Sequence, residues 1–182
     1  MRGLSCSDLC CLTSAAWPLA IAVAKNGRNV EYVSGEEPHL GEVLAAAYVR
    51  GVQSRGIAAN VKHYVLNHQE TDRMTTSAYV DDRSLFEVYY PPFEAAISAG
   101  VASLMCSYNR INGTHACNNP HTLGHLRNDL GFRGWVVSDW WATHSFERSV
   151  AAGMDVSMPG NDGFYTPGHL NGSTPTPRLT TR

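Results

Sequence analysis

From residue 38 onward one pattern recurs: a segment with apolar residues at helical spacing, then a short apolar run that ends in polar residues. The spacing predicts a first helix with Leu40, Val43, Leu44, Ala47, Gly51 and Val52 on its core face, ended by Gly56. Ile57 to Val61 follows as a short apolar run leading into Lys62 and His63. A second helical stretch runs from Ser84 to Ala99, with Leu85, Val88, Tyr89, Ala96 and Ile97 on one side. Pro91 and Pro92 must bend or split it, because proline removes a backbone donor and clashes with the preceding turn. Gly100 closes it, and Val101 to Met105 is the next apolar run, leading into Cys106, Ser107, Tyr108 and Asn109. A polar loop from Arg110 to Asn119 precedes a third helix, opened by Pro120 and carrying Leu123, Leu126 and Leu130. Gly134 then introduces Trp135-Val136-Val137, which ends at Ser138, Asp139 and Trp140. A fourth helix around Ser145 to Ala152 stops at Gly153, and Met154 to Met158 reads as a last strand before Pro159.

Short strands alternating with helices predict an α/β fold, a parallel sheet with helical crossovers. Strands that are apolar throughout fit burial on both faces. At 182 residues the chain has the length of one ordinary domain. A net charge of -2 with no basic block argues against a nucleic acid partner. No stretch approaches the roughly 20 apolar residues that a membrane-spanning helix needs, so no membrane partner is expected. From Asn161 to Arg182 the sequence turns to Pro, Thr, Gly and Asn, and this tail is expected to be loose.

The start of the chain admits two readings. Arg2, the mostly apolar Leu9 to Ala24 and the small-x-small Ala22-Val23-Ala24 have the form of a secretory leader, whereas Pro18 and three cysteines suit an unmatched N-terminal segment. Residues 1–26 are therefore set apart from the folded unit. Of the five cysteines, Cys106 and Cys117 can close a loop in an oxidising compartment or remain free thiols. No pair of CxxC motifs offers a zinc cage.

The polar residues gather just past the C-terminal ends of the strands: Lys62-His63, Ser107-Tyr108-Asn109 and Ser138-Asp139-Trp140. In a (β/α) barrel these ends converge on one face that carries the active site, and a doubly wound sheet uses the same edge. A lysine, a histidine, a tyrosine and an aspartate beside an indole suit a polyhydroxylated ligand, whose hydroxyls they hydrogen-bond while the indole stacks on a sugar face. Plainer roles exist for each: Lys62 as a loop charge, His63 as a structural histidine, Asp139 as a helix cap and Trp140 as core. His121 and His125 stand i, i+4, but the glutamate of the metalloprotease motif is absent between them. His63 and His68 lack an evident third ligand, and no metal site is expected. Phosphate loops, dinucleotide fingerprints and the nucleophile elbow are also absent.

Four segments together carry a resemblance to glycoside hydrolase family 3, of the β-glucosidase type. Gly27-Arg28-Asn29-Val30-Glu31 with Gly35-Glu36-Glu37-Pro38 resembles the family's G-R-N-x-E…G-E-D-P loop. Lys62-His63-Tyr64-Val65-Leu66-Asn67 resembles K-H-Y-x-x-N, and Met105-Cys106-Ser107-Tyr108-Asn109 resembles M-[CS]-[SA]-Y-N. Ser138-Asp139-Trp140, with Gly153-Met154-Asp155 and Met158-Pro159-Gly160, resembles S-D-W…G-[LM]-D…M-P-G. The match spans residues 27–160.

The resemblance implies part of a (β/α)8 TIM-type barrel, lacking its first strands and the second domain. It also implies retaining hydrolysis of β-glucosides or oligosaccharides through a covalent glycosyl-enzyme. Asp139 maps to the nucleophile, Arg28, Lys62, His63, Met105 and Tyr108 to the sugar-binding residues, and Trp140 to the aromatic wall. No cofactor is implied, and secretion is the family habit. In this branch the acid/base glutamate lies in the second domain, so impaired hydrolysis is expected of this chain, or at the limit a non-catalytic remnant that binds sugar weakly. Glu70 and Asp72 are the acids nearest in sequence to the Lys-His segment. The N-acetylhexosaminidase branch, which uses a loop histidine evoked by His68, fits less well than the glucosidase pattern of Asn67 and Glu70. Trp141 stands where the family commonly has glycine.

Overall fold

In chain order the elements are β1 (Ala15–Ala16), α1 (Pro38–Gln53), β2 (Asn60–Tyr64), β3 (Ser77–Ala78), α2 (Asp82–Ser84), α3 (Pro91–Ser98), β4 (Ser103–Cys106), β5 (Arg110–Ile111), β6 (Thr114–His115), α4 (Pro120–Asn128), β7 (Trp135–Ser138) and α5 (Phe146–Ala152). They come from a computed structural model that describes residues 15–16, 27, 32–160, 162–166 and 169. The main sheet has the order β1-β2-β4-β7 with every pair parallel. Helices connect β2 to β4 and β4 to β7, which is the crossover architecture that the alternating pattern predicts.

The helix ends follow from local chemistry. Glu37 caps α1 by accepting from the His39 and Leu40 N–H groups, with Pro38 in the first turn, where its missing donor costs nothing. Asn119 caps α4 in the same way ahead of Pro120, and Ser145 caps α5. Gly153 ends α5 at φ 106°, in the left-handed region that glycine enters without steric cost. The proline pair breaks the second helical stretch as expected: a π-helical turn, Leu85–Tyr89, separates α2 from α3.

Four expectations need correction. The core face of α1 carries Gly41, Ala45 and Val49, whereas Leu40, Val43, Leu44, Ala47 and Gly51 are exposed. Close approach decides this: a Cβ at Gly41 would stand 2.6 Å from Ser34 Cβ and 2.7 Å from Pro92 Cγ, so α1 turns its small residues toward α3. Strand β2 lies about three residues later than the apolar run suggests, so Lys62 and His63 belong to the strand itself. Its anchor is Tyr64, stacked on Tyr90 at 5.5 Å, edge-on to Phe93 at 5.1 Å, and donating its hydroxyl to the Thr122 carbonyl at 2.8 Å.

The polar loop after β4 is not irregular throughout. Asn112 and Gly113, at φ 49° and 88°, turn a small hairpin of β5 and β6, and β5 pairs in parallel with β3. Finally, Met154 to Met158 forms a single bridge, Val137 to Val156, instead of a strand. Side-chain oxygens take ladder positions there: Asp155 Oδ2 accepts from the Val136 N–H at 2.8 Å, and Ser138 Oγ from the Met158 N–H at 2.8 Å.

Two features lock the frame. Cys106 and Cys117 form a disulfide that ties the end of β4 to the 3-10 turn Ala116–Asn118. The buried Arg127 guanidinium donates to the Phe132 and Gly153 carbonyls and, at 2.9 Å, to Asp155. This clasp sets the start of β7 against the end of α5. At the start of the stretch expected to be loose, Tyr165 packs edge-on against Phe146 at 5.0 Å, His169 stacks on that ring at 5.4 Å, and Ser157 hydrogen-bonds Asp162.

Candidate active site

Sheet register brings three of the singled-out segments together. Lys62 on β2 pairs with Met105 on β4, Met105 pairs with Val137 on β7, and Cys106 pairs with Ser138. The next residue, Asp139, donates its N–H to the Cys106 carbonyl at 3.1 Å. Lys62, His63, Met105, Tyr108 and Asp139 therefore share the C-terminal edge of one parallel sheet, the edge on which such folds place ligands. Arg28 lies outside the described residues.

The backbone around this edge is held by its own polar side chains. Ser107 Oγ donates to the Val65 carbonyl at 3.0 Å and Asn109 Nδ2 to the same oxygen at 3.1 Å. The Ser107 N–H reaches the Tyr64 carbonyl at 2.9 Å. On the β7 side, Ser138 donates its N–H to the Val156 carbonyl, and the Trp141 N–H reaches the Met158 carbonyl at 2.9 Å. The Ser-Asp-Trp turn is thus fixed from both flanks, which gives Asp139 a defined direction.

Asp139 is 7% exposed and His63 1%. Asp139 Oδ2 lies 3.2 Å from His63 Nε2, and Oδ1 accepts from the Trp140 N–H at 2.7 Å. Burial alone would raise the carboxyl's pKa. The His63 hydrogen bond and charge, with the Trp140 N–H and the Tyr108 hydroxyl, outweigh it and hold the group below the usual carboxylate range. Asp139 is therefore an ionised, buried carboxylate at neutral pH, which a plain helix cap would not require. Trp140 and Trp141, which follow it in sequence, are 49% and 51% exposed, with their rings edge-to-face and centres 5.5 Å apart. Trp140 is therefore exposed beside the carboxylate and not part of the core. Trp141 sits at φ 61°, a left-handed conformation that explains why a glycine suits this position.

Sequence reasoning missed two contributors. Tyr32 stands edge-on to the His63 ring at 6.5 Å and donates its hydroxyl to the Asn67 carbonyl at 3.0 Å. The Arg73 guanidinium lies 4.5 Å from the Tyr108 ring centre, within cation–π range. Neither position has a periodicity or motif that marks it. Glu70 is engaged by Arg73 at 3.1 Å, and the backbone carbonyl of Asp72 closes a turn by accepting the Thr75 and Thr76 N–H groups. His68 faces Tyr89 at 6.1 Å, and burial lowers its pKa.

The family model described as "Glycosyl hydrolase family 3 N terminal domain" matches residues 16–168. The chain is 48% identical over 149 residues to beta-glucosidase cel3A of Pyricularia oryzae, covering 80% of this chain and 20% of that protein. A beta-glucosidase of Rhizobium radiobacter is 50% identical over 137 residues, covering 74% and 17% of the two chains. The solved structure of beta-D-glucoside glucohydrolase from Trichoderma reesei superposes with a TM-score of 0.79 at 40% identity, over 86% of this chain and 23% of that one. The chain thus spans about a fifth of the length of the curated relatives it matches. Its parallel strands and helical crossovers form part of a (β/α)8 TIM-type barrel. The chain belongs to glycosyl hydrolase family 3, within the N-terminal domain of that family.

Proposed function

We propose that this chain supplies the sugar-binding, nucleophile-bearing edge of a retaining β-glucosidase acting on β-glucosides or oligosaccharides. The observation that carries the reading is the buried Asp139 carboxylate, kept ionised by His63, the Trp140 N–H and the Tyr108 hydroxyl. A retaining mechanism needs an ionised carboxylate that attacks the anomeric carbon and a second carboxyl group about 5–5.5 Å away that protonates the leaving oxygen. Asp139 takes the first role. It forms the glycosyl ester as the aglycone departs, and water then cleaves that ester and restores the carboxylate. Lys62, His63 and Arg28 hydrogen-bond the sugar hydroxyls, Met105 and Tyr108 line the ring, and Trp140 walls the aglycone side. The Glu70 carboxylate is paired with Arg73, and the acid/base carboxyl is assigned to the second domain that the family resemblance implies. Relatives named beta-glucosidases and the matched family support this assignment. The Cys106–Cys117 bridge supports an oxidising, extracytosolic setting. Among the described residues no helix is long and apolar enough to cross a membrane.

The test is turnover of 2,4-dinitrophenyl β-D-glucoside, whose leaving group departs without protonation. Asp139→Asn is expected to lower kcat/KM by roughly a thousandfold or more, the scale seen when a nucleophile is removed. Retention of activity in a folded Asp139→Asn variant would end the assignment.

A further inference from the structure

Among the described residues, one cluster of potential metal ligands stands outside the Asp139 site: Asp82, His121 and His125, whose ligand atoms all lie within 4.8 Å of one another. His121 and His125 are one turn apart on α4, so their rings leave the same side of the helix, with ring centres 4.2 Å apart. Asp82, the first residue of α2, brings Oδ1 to 2.8 Å from His121 Nε2. Two donors each about 2.1 Å from one tetrahedral ion stand about 3.4 Å apart, so this edge needs only a small opening to reach ligand spacing. His125 is oriented from behind: its Nδ1 lies 3.0 Å from the Tyr90 hydroxyl, which leaves Nε2 to bind. Metal-ligating histidines regularly have such an outer partner on the second ring nitrogen. Asp82 and His121 are exposed and His125 is half-buried, so an ion can enter from solvent and water can complete its shell.

We propose that Asp82, His121 and His125 form a binding site for a divalent transition metal of the Zn2+, Ni2+ or Cu2+ kind. Two imidazoles and one carboxylate favour these ions over Ca2+ or Mg2+, which prefer oxygen ligands. The site bridges two crossover segments, α2 before β4 and α4 before β7, so a bound ion stabilises the folded chain by mass action. Binding replaces the His121–Asp82 hydrogen bond with a bond from each side chain to the ion. Nothing in this chemistry depends on Asp139.

Isothermal titration of the full chain with zinc chloride at pH 7.5 tests the site. One ion per chain is expected, at micromolar affinity. His121→Ala and His125→Ala each weaken it at least about tenfold, and His68→Ala leaves it unchanged. Co2+ in place of Zn2+ should give a visible absorption band that the His121→Ala/His125→Ala variant lacks. Circular dichroism checks that the variants fold, which the exposure of His121 favours. Absence of saturable binding, or unchanged stoichiometry and affinity in the double variant, would overturn the proposal.

Discussion

The Cys106–Cys117 disulfide should be the largest single covalent contribution to this fold, and its removal has a calculable effect. The bridge spans a sequence separation of 11 and pins the segment that carries Ser107, Tyr108 and Asn109. Closing a loop of that length in the unfolded chain costs about 3 kcal/mol of entropy, which the bridge removes from the unfolding side. In a domain of this size about 1 kcal/mol moves Tm by roughly 2–4 °C, so Cys106→Ala/Cys117→Ala should melt roughly 6–12 °C lower. The alanines avoid leaving two buried thiols or hydroxyls without partners. Circular dichroism melts with and without reductant provide the assay: reductant should lower the wild-type Tm by a similar amount and leave the variant unmoved. Alkylation followed by intact mass gives the independent count. Of the five cysteines, no more than three should react before reduction and all five after it. Equal Tm values for wild type and variant, or five reactive thiols without reduction, would refute the reasoning.

Further predictions concern packing and protonation. A Cβ at Gly134 would stand 2.1 Å from the Ala102 carbonyl oxygen and 2.7 Å from the Phe132 ring, so Gly134→Ala should cost roughly 1–3 kcal/mol in urea unfolding. No loss would mean that the close approach at the start of β7 does not exist. Burial and the stacked His144 ring hold His115 down to about 4 from 6.5. The unfolded chain therefore binds that proton first, so stability should fall as pH drops from about 6.5 toward 4. His115→Asn should flatten this slope, and an unchanged slope would contradict the assignment. Burial works against ionisation of Asp139 and His63 works for it, so His63→Gln should move the acidic limb of kcat/KM to higher pH. A folded variant with an unshifted limb would separate the two residues.

Much of the architecture is legible because it rests on local rules. Caps at Asn119 and Ser145, the stop at Gly153 and the break at Pro91-Pro92 each follow from backbone chemistry visible in a few residues. The hairpin at Asn112-Gly113 is passed over when the segment is read as a polar loop, although Asn-Gly is a type I′ turn signal. The face of α1 was not legible, because hydropathy ranks side chains by bulk whereas close packing against α3 selects Gly41 and Ala45. Likewise Asp155 and Ser138 replace backbone partners beside β7, an arrangement that depends on residues meeting in space. At the site, the gathering of Lys62, His63, Tyr108 and Asp139 at strand ends was legible, and the sheet register brings them to one edge. Tyr32 and Arg73 reach it from loops through ring contacts that have no linear signature. Asp82 completes the His121–His125 pair from 39 residues away in sequence, so the third metal ligand emerges only in the fold.

The most direct test of the central claim is to find where a sugar becomes attached. After incubation with 2,4-dinitrophenyl 2-deoxy-2-fluoro-β-D-glucoside, proteolysis and mass mapping should place one fluoroglucosyl group on the peptide containing Ser138-Asp139-Trp140, with no label in Asp139→Asn. A label on another peptide, or one that persists in a folded Asp139→Asn variant, would contradict the assignment of Asp139 as nucleophile.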